Sequence, residues 1–92
     1  MIAGKLVGRY AELKSKAPGW VLLMQVGAFM KVLDEDARTV SGVTGLKLQM
    51  PGSVEAPVVL GGFGKKGLDA YVGKLVRAGH SVAVALRDGN NL

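Results

Sequence analysis

Residues 20–49, WVLLMQVGAFMKVLDEDARTVSGVTGLKLQ, decide how this chain must fold. Trp20 to Val26 is a nearly continuous apolar run of strand length, broken by Gly27. Phe29 to Leu33 alternates across Lys31, which is the period of a half-buried strand. Two such runs separated by Gly27 and Ala28 predict a hairpin of adjacent strands. Asp34, Glu35 and Asp36 then gather negative charge at a helix start, where the macrodipole stabilises carboxylates by roughly 0.3–1 kcal/mol each. A short helix is expected to about Ser41, followed by a strand over Leu46 to Met50. The same three acids are a nominal divalent-ion cluster, but capping of the helix is the simpler reading.

On the N-terminal side, Leu6, Tyr10, Leu13 and Ala17 recur at spacings of three and four, so Gly4 to Lys16 reads as an amphipathic helix ended by Ala17, Pro18 and Gly19. On the C-terminal side, Pro51, Gly52 and Ser53 open a loop carrying Glu55. Pro57 to Leu60 reads as a buried strand, Gly61 to Gly64 as a glycine turn, and Lys65 to Ala78 as a helix capped by Gly79. Ser81 to Leu86 reads as a final buried strand, completing a β-α-β unit. Gly89, Asn90 and Asn91 form a short polar tail. Leu68, Tyr71, Val72, Leu75 and Val76 share one side of the later helix, with Lys66, Lys74 and Arg77 on the other. The expected fold class is α/β, a small mixed sheet flanked by helices, in one domain spanning residues 1–92.

Composition narrows the function. The 92 residues hold 49% hydrophobic residues, enough for one core. Trp20 to Met24 is the longest apolar stretch undiluted by glycine, far short of the roughly 20 residues that span a bilayer. The opening MIAGKLVGRYAELK lacks the apolar segment of a secretory signal, so a cytoplasmic protein is expected. With no cysteine and a single histidine, His80, neither disulfides nor a His/Cys zinc site can form. No cofactor is implied and no catalytic constellation stands out, so a non-enzymatic module is expected. Twelve Lys and Arg against seven acids give +5, a balance that suits polyanions without specifying one. Met24, Met30 and Met50 lie in apolar runs and read as core.

The order and spacing of the motifs resemble domain I, the mismatch-recognition domain, of the MutS mismatch-repair family. Val26 to Gln49 is similar, without a gap, to the family's strand, Gly-Asp-Phe-Tyr-Glu turn, strand and acidic-capped helix. Gly27, Phe29, Asp36, Ala37, Ser41 and Leu48 coincide with it. Downstream, Gly62 and YVGKLVRAGHSVAV from Tyr71 are similar to the family's Tyr-x-x-Lys-Leu-Val helix and Gly-x-x-Val-Ala strand; upstream, YAELKSKAPGWVLL from Tyr10 matches its helix, Pro break and strand. The likeness covers about residues 8–88.

That resemblance implies a DNA partner contacted through Phe29, which in the family wedges beside a mispaired base. Without it, burial is the ordinary fate of a Phe. Parity agrees with exposure, because Phe29 shares a face with Lys31, and a lysine is almost never buried without a partner. The family's Glu two positions after the Phe is Lys31 here, so an acceptor has become a cationic donor. Ala28 and Met30 replace the Asp and Tyr flanking the Phe, and Gly64, Lys65 and Lys66 replace a Pro-Tyr-His. The candidate DNA-binding residues are Phe29, carried over from the family, and by their charge Lys31, Lys65 and Lys66, with Lys74 and Arg77 as outer candidates; contact is expected to be phosphate-led, with mismatch selectivity reduced. None of the family's clamp, lever or ATPase domains falls within these residues, so binding or tethering is expected rather than ATP-driven signalling.

Two other readings stay open. A retained fold with a lost DNA role makes the Phe29 face a protein-docking surface. Alternatively, Gly62-Phe63-Gly64-Lys65-Lys66-Gly67 satisfies G-x-G-x-x-G, with Asp88 placed 21 residues after Gly67, a dinucleotide fingerprint. Only four residues follow Asp88, too few for a second nucleotide-binding half.

Overall fold

The computed structural model describes residues 2–50 and 59–87. Its elements are α1 (Ile2–Lys14), β1 (Val21–Val26), β2 (Phe29–Leu33), α2 (Asp34–Thr44), β3 (Leu48–Gln49), β4 (Leu60–Gly64), α3 (Leu68–Arg77) and β5 (Val82–Ala85). A single 3₁₀ turn, Lys65–Gly67, leads into α3. The five strands form one mixed sheet in the order β3-β4-β2-β1-β5. Among the described residues only the β1–β5 pair is parallel. The α/β class is as the sequence implies.

Alternation assigns the two faces. Val21, Leu23, Met30, Val32 and Phe63 point to one side, where Ala37 and Val40 of α2 and Leu75 of α3 close the larger core. Phe63 stacks on Tyr71 there, ring centroids 3.8 Å apart and planes 6° from parallel. Leu22, Met24 and Leu33 point to the other side and meet Tyr10 of α1, with Leu6, Val7, Leu13 and Leu60 packed around them.

The helix α1 is fastened by one buried carboxylate. Asp36 is 6% exposed. Its Oδ2 accepts the Leu22 backbone N–H at 3.1 Å, and its Oδ1 accepts from Lys14 Nζ at 2.9 Å. The Tyr10 hydroxyl lies 2.7 Å from Asp36 Oδ2 and 2.6 Å from the Leu22 carbonyl oxygen, so its one proton is shared between two acceptors. Lys14 also donates to the Trp20 carbonyl. The capping expected of the three acids is not made by a side-chain bond at the N-cap of α2. Asp34 instead sits at φ 51°, donates its N–H to the Val59 carbonyl at 2.8 Å, and accepts the Val59 N–H on Oδ1 at 3.3 Å. Aspartate tolerates that left-handed backbone because its short side chain can bond locally.

Several expected elements are corrected. Gly61 to Gly64 is not a turn but most of β4, paired residue by residue with β2. The expected β-α-β unit is present with β4 and β5 parallel, and it is a split one, because β2 and β1 lie between them in the sheet. The α1 helix ends at Lys14, before the Ala17-Pro18-Gly19 break, while α2 runs past Ser41 to Thr44. There Gly45 at φ 80° turns the chain and donates its N–H to the Ser41 carbonyl, a left-handed C-cap. The helix expected from Lys65 begins as the 3₁₀ turn, and the strand expected over Leu46 to Met50 shrinks to Leu48–Gln49. Met50 (62% exposed) and Val76 (55% exposed) lie on the surface rather than in the core, and β5 is half-buried because it is an edge strand. The Glu55 loop, Pro57, Asp88 and the polar tail lie outside the described residues.

Burial, then the hydrogen bond to Asp36 and its charge, holds the Tyr10 phenol far above the ordinary value of about 10. A raised folded-state value contributes stability that is complete below about pH 10 and is lost as the pH rises beyond it. The urea midpoint should therefore fall above about pH 10, and Tyr10→Phe should lose that component of the slope. Asp36→Ala, which strands the buried Leu22 N–H, should lower the unfolding free energy by about 3 kcal/mol.

Candidate nucleic-acid interface

The β1–β2 hairpin closes with two residues, Gly27 and Ala28, between the paired Val26 and Phe29. Gly27 adopts φ 63° and Ala28 does not, the pattern of a type II′ turn with glycine first. The turn is braced from both sides. The Gln25 side-chain amide donates to the Gly27 carbonyl at 2.9 Å, while its oxygen accepts the Arg87 N–H at 2.7 Å. Lys65 donates its backbone N–H to the Ala28 carbonyl at 2.9 Å. None of these braces has a sequence signature: one is a local bond of an unremarkable glutamine, and the other two join groups far apart in the chain.

Phe29 stands beside this turn and is 52% exposed. Lys31 follows on the same face, with Nζ 5.4 Å from the centroid of the Phe29 ring. Across the ladder Phe29 pairs with Gly64 and Lys31 with Gly62. The Lys31 stem lies over Gly62: a Cβ there would meet Nζ at 3.1 Å and Cδ at 3.2 Å. Gly64 has open space above it. The backbone beside Phe29 is thus bare at Gly64 and roofed by the Lys31 stem at Gly62, with Lys65 and Lys66 exposed where β4 ends.

The structure brings Phe29, Lys31 and Lys65 together at one end of the sheet, with Lys66 next to Lys65. Lys74 and Arg77 are exposed on α3, which covers the opposite face. Both sit in the last helical turn, where cations complement the macrodipole. The glycine fingerprint does not form a phosphate-cradling turn, because its first three residues are hydrogen-bonded strand. Gly61 is there for packing: a Cβ would come within 2.9 Å of Leu46 Cδ2, 3.0 Å of Leu48 Cδ2 and 3.1 Å of Val32 Cγ2. A separate cavity of about 200 Å³ lies between α1 and the start of α2, but its buried polar groups, Tyr10 and Asp36, are already bonded to each other. Among the described residues no group of His, Asp and Glu is arranged to hold a metal, and no helix is long and apolar enough to cross a membrane.

The profile of MutS domain I matches residues 5–89. The chain belongs to the MutS domain I family. It is 40% identical over 80 residues to the DNA mismatch repair protein MutS of Porphyromonas gingivalis, a match covering 86% of this chain and 9% of that protein. The Thermus caldophilus protein of the same name is 35% identical over 80 residues, covering 87% of this chain and 10% of its own. That of Cytophaga hutchinsonii is 40% identical over 77 residues, covering 83% and 9%. The chain spans about a tenth of the length of these relatives.

The two kinds of β4 glycine should separate on substitution. Gly61→Ala should cost about 1–3 kcal/mol through overpacking against Val32, Leu46 and Leu48. Gly64→Ala should stay within about 0.5 kcal/mol of the parent in a denaturant titration.

Proposed function

We propose that this chain is a non-catalytic DNA-binding module that contacts duplex or distorted DNA through the Phe29 end of its sheet. The observation carrying this reading is a half-exposed Phe29 beside the bare backbone of Gly64, with Lys31 and Lys65 close by. Exposure of that ring on a braced turn is otherwise costly, since it forgoes burial of about 1.5–3 kcal/mol. An apolar ring there can enter between bases at a weakened step, and the lysines can neutralise backbone phosphate. Membership of a family whose relatives are named as DNA mismatch repair proteins supports a DNA partner. A cytoplasmic site of action fits that partner.

Selectivity for mismatches is proposed to be reduced. Lys31 offers three donors and no acceptor, so it can meet a phosphate or an acceptor on any base edge. Lys65 and Lys66 extend the same track. Lys74 and Arg77, on the far side of the sheet, fall outside it.

Fluorescence anisotropy with perfect, mismatched and single-stranded DNA at two salt concentrations tests the proposal. Binding should be modest and should weaken steeply with salt. Lys31→Ala should lower the magnitude of the log–log salt slope by about one, whereas the Lys74→Ala/Arg77→Ala pair should leave it unchanged. Phe29→Ala should weaken distorted DNA selectively, by about 1–3 kcal/mol. Failure to bind any of the three DNAs at low salt overturns the reading.

A further inference from the structure

The two edges of the sheet are unlike. One is β3, two residues long, preceded by Lys47 and followed closely by Pro51, which is how proteins usually blunt an edge. The other is β5, Val82-Ala83-Val84-Ala85, with no charge, proline or bulge. It continues into Leu86, and Val84 and Leu86 are 40% and 53% exposed.

The hydrogen bonding shows which backbone groups are free at that edge. The Ser81 carbonyl accepts the Val21 N–H at 2.8 Å, and the Arg87 N–H turns inward to Gln25. In an extended strand the N–H and C=O of one residue point the same way and alternate with the next. Odd-numbered residues from Ser81 to Arg87 therefore face β1. Val82, Val84 and Leu86 point their N–H and C=O outward, with no partner for them among the described residues.

We propose that β5 pairs antiparallel with β5 of a second copy of this chain, about a two-fold axis through Val84. A two-fold axis perpendicular to the sheet keeps each face continuous, so paired residues must come from the same face. Centring on Val84 satisfies this. Val84 meets Val84, Val82 meets Leu86, and Ala83 meets Ala85. The outward groups of Val82, Val84 and Leu86 then form six interchain hydrogen bonds, and the same residues that expose apolar side chains bury them against each other. Charge also permits a copy at this register: Arg87 stands opposite Ser81, with no like charges facing across the ladder. The result is a continuous ten-stranded sheet. It uses neither Phe29 nor Lys31, so it stands or falls separately from DNA binding.

Sedimentation of the full chain over a range of concentrations, at low and high salt without DNA, is the first test. A monomer–dimer equilibrium should appear and strengthen with salt, as the repulsion between two +5 chains is screened. DNA binding moves the other way. In NMR hydrogen exchange, the Val82, Val84 and Leu86 amides should gain protection as concentration rises, while those of Ala83 and Ala85 stay protected throughout. Val84→Lys should weaken the dimer by more than about tenfold. Leu86→Lys provides a second variant should the first fail to fold, and Val84→Thr should retain the dimer. A monomer at every concentration, rapid Val84 exchange within a dimer, or an unaltered dimer in a folded lysine variant overturns the proposal.

Discussion

The Asp36 carboxylate is the point through which three parts of the chain are held in one arrangement. A buried charge costs several kcal/mol unless its oxygens are satisfied. Here they are met by a backbone N–H from β1, a phenol from α1 and an ammonium from α1, while the residue itself belongs to α2. No buried side-chain polar atom among the described residues lacks a partner. Because the bonds converge on a strand start and a helix start, they fix where α1 lies on the sheet. It covers Leu22, Met24, Leu33 and Leu60. The turn end of the hairpin, with Val26, Phe29 and Gly64, is left open on that face. The bare end of the sheet follows from the placement of the cover.

Glycine does two different jobs in β4. Where Gly61 faces the larger core, the absence of a Cβ lets Leu46 and Leu48 close over the strand, so the packing against β3 depends on it. Where Gly62 faces the open side, the same absence makes room for the Lys31 stem. Glycine in a strand loses entropy and buries little, and it is retained where something approaches closely. Here one neighbour is core and the other is the candidate interface. A single run of sequence therefore serves both stability and the shape of the site.

The hairpin was legible because its signal is local. Apolar runs on either side of Gly27 set β1 and β2, and β2 has the bounds its alternation implies. The exposure of Phe29 was legible from the family resemblance, with Lys31 in support: parity put both on one face, and the lysine needed water. The β4 strand was not legible, since glycine reads as a turn unless the side chains that crowd it are known, and those come from Val32, Leu46 and Leu48 elsewhere in the chain. The same holds for Asp36. Its acidity near a helix start fits a cap, and its partners are 14 to 26 residues away. Strand order was hidden for a related reason, because β-α-β patterning fixes handedness and direction but not how many strands the crossover passes.

Phe29 and Lys31 act on each other, and that coupling bears on how the proposed contact works. The ammonium held near the ring contributes about 0.5–1 kcal/mol at an exposed site. A base stacked on the same ring is worth about 1–3 kcal/mol, so a base can displace the ammonium. Gly62 leaves room for the stem, since it has no side chain to stand in its way. Once displaced, the ammonium carries its charge away from the ring, and an adjacent phosphate is the strongest acceptor DNA offers it. Stacking and phosphate contact are then linked events on one strand. A carboxylate at position 31 would be repelled by phosphate and would have to find its partner on the base itself. In the proposed contact the lysine would thus shift discrimination away from the base edge while adding to the attraction for the backbone.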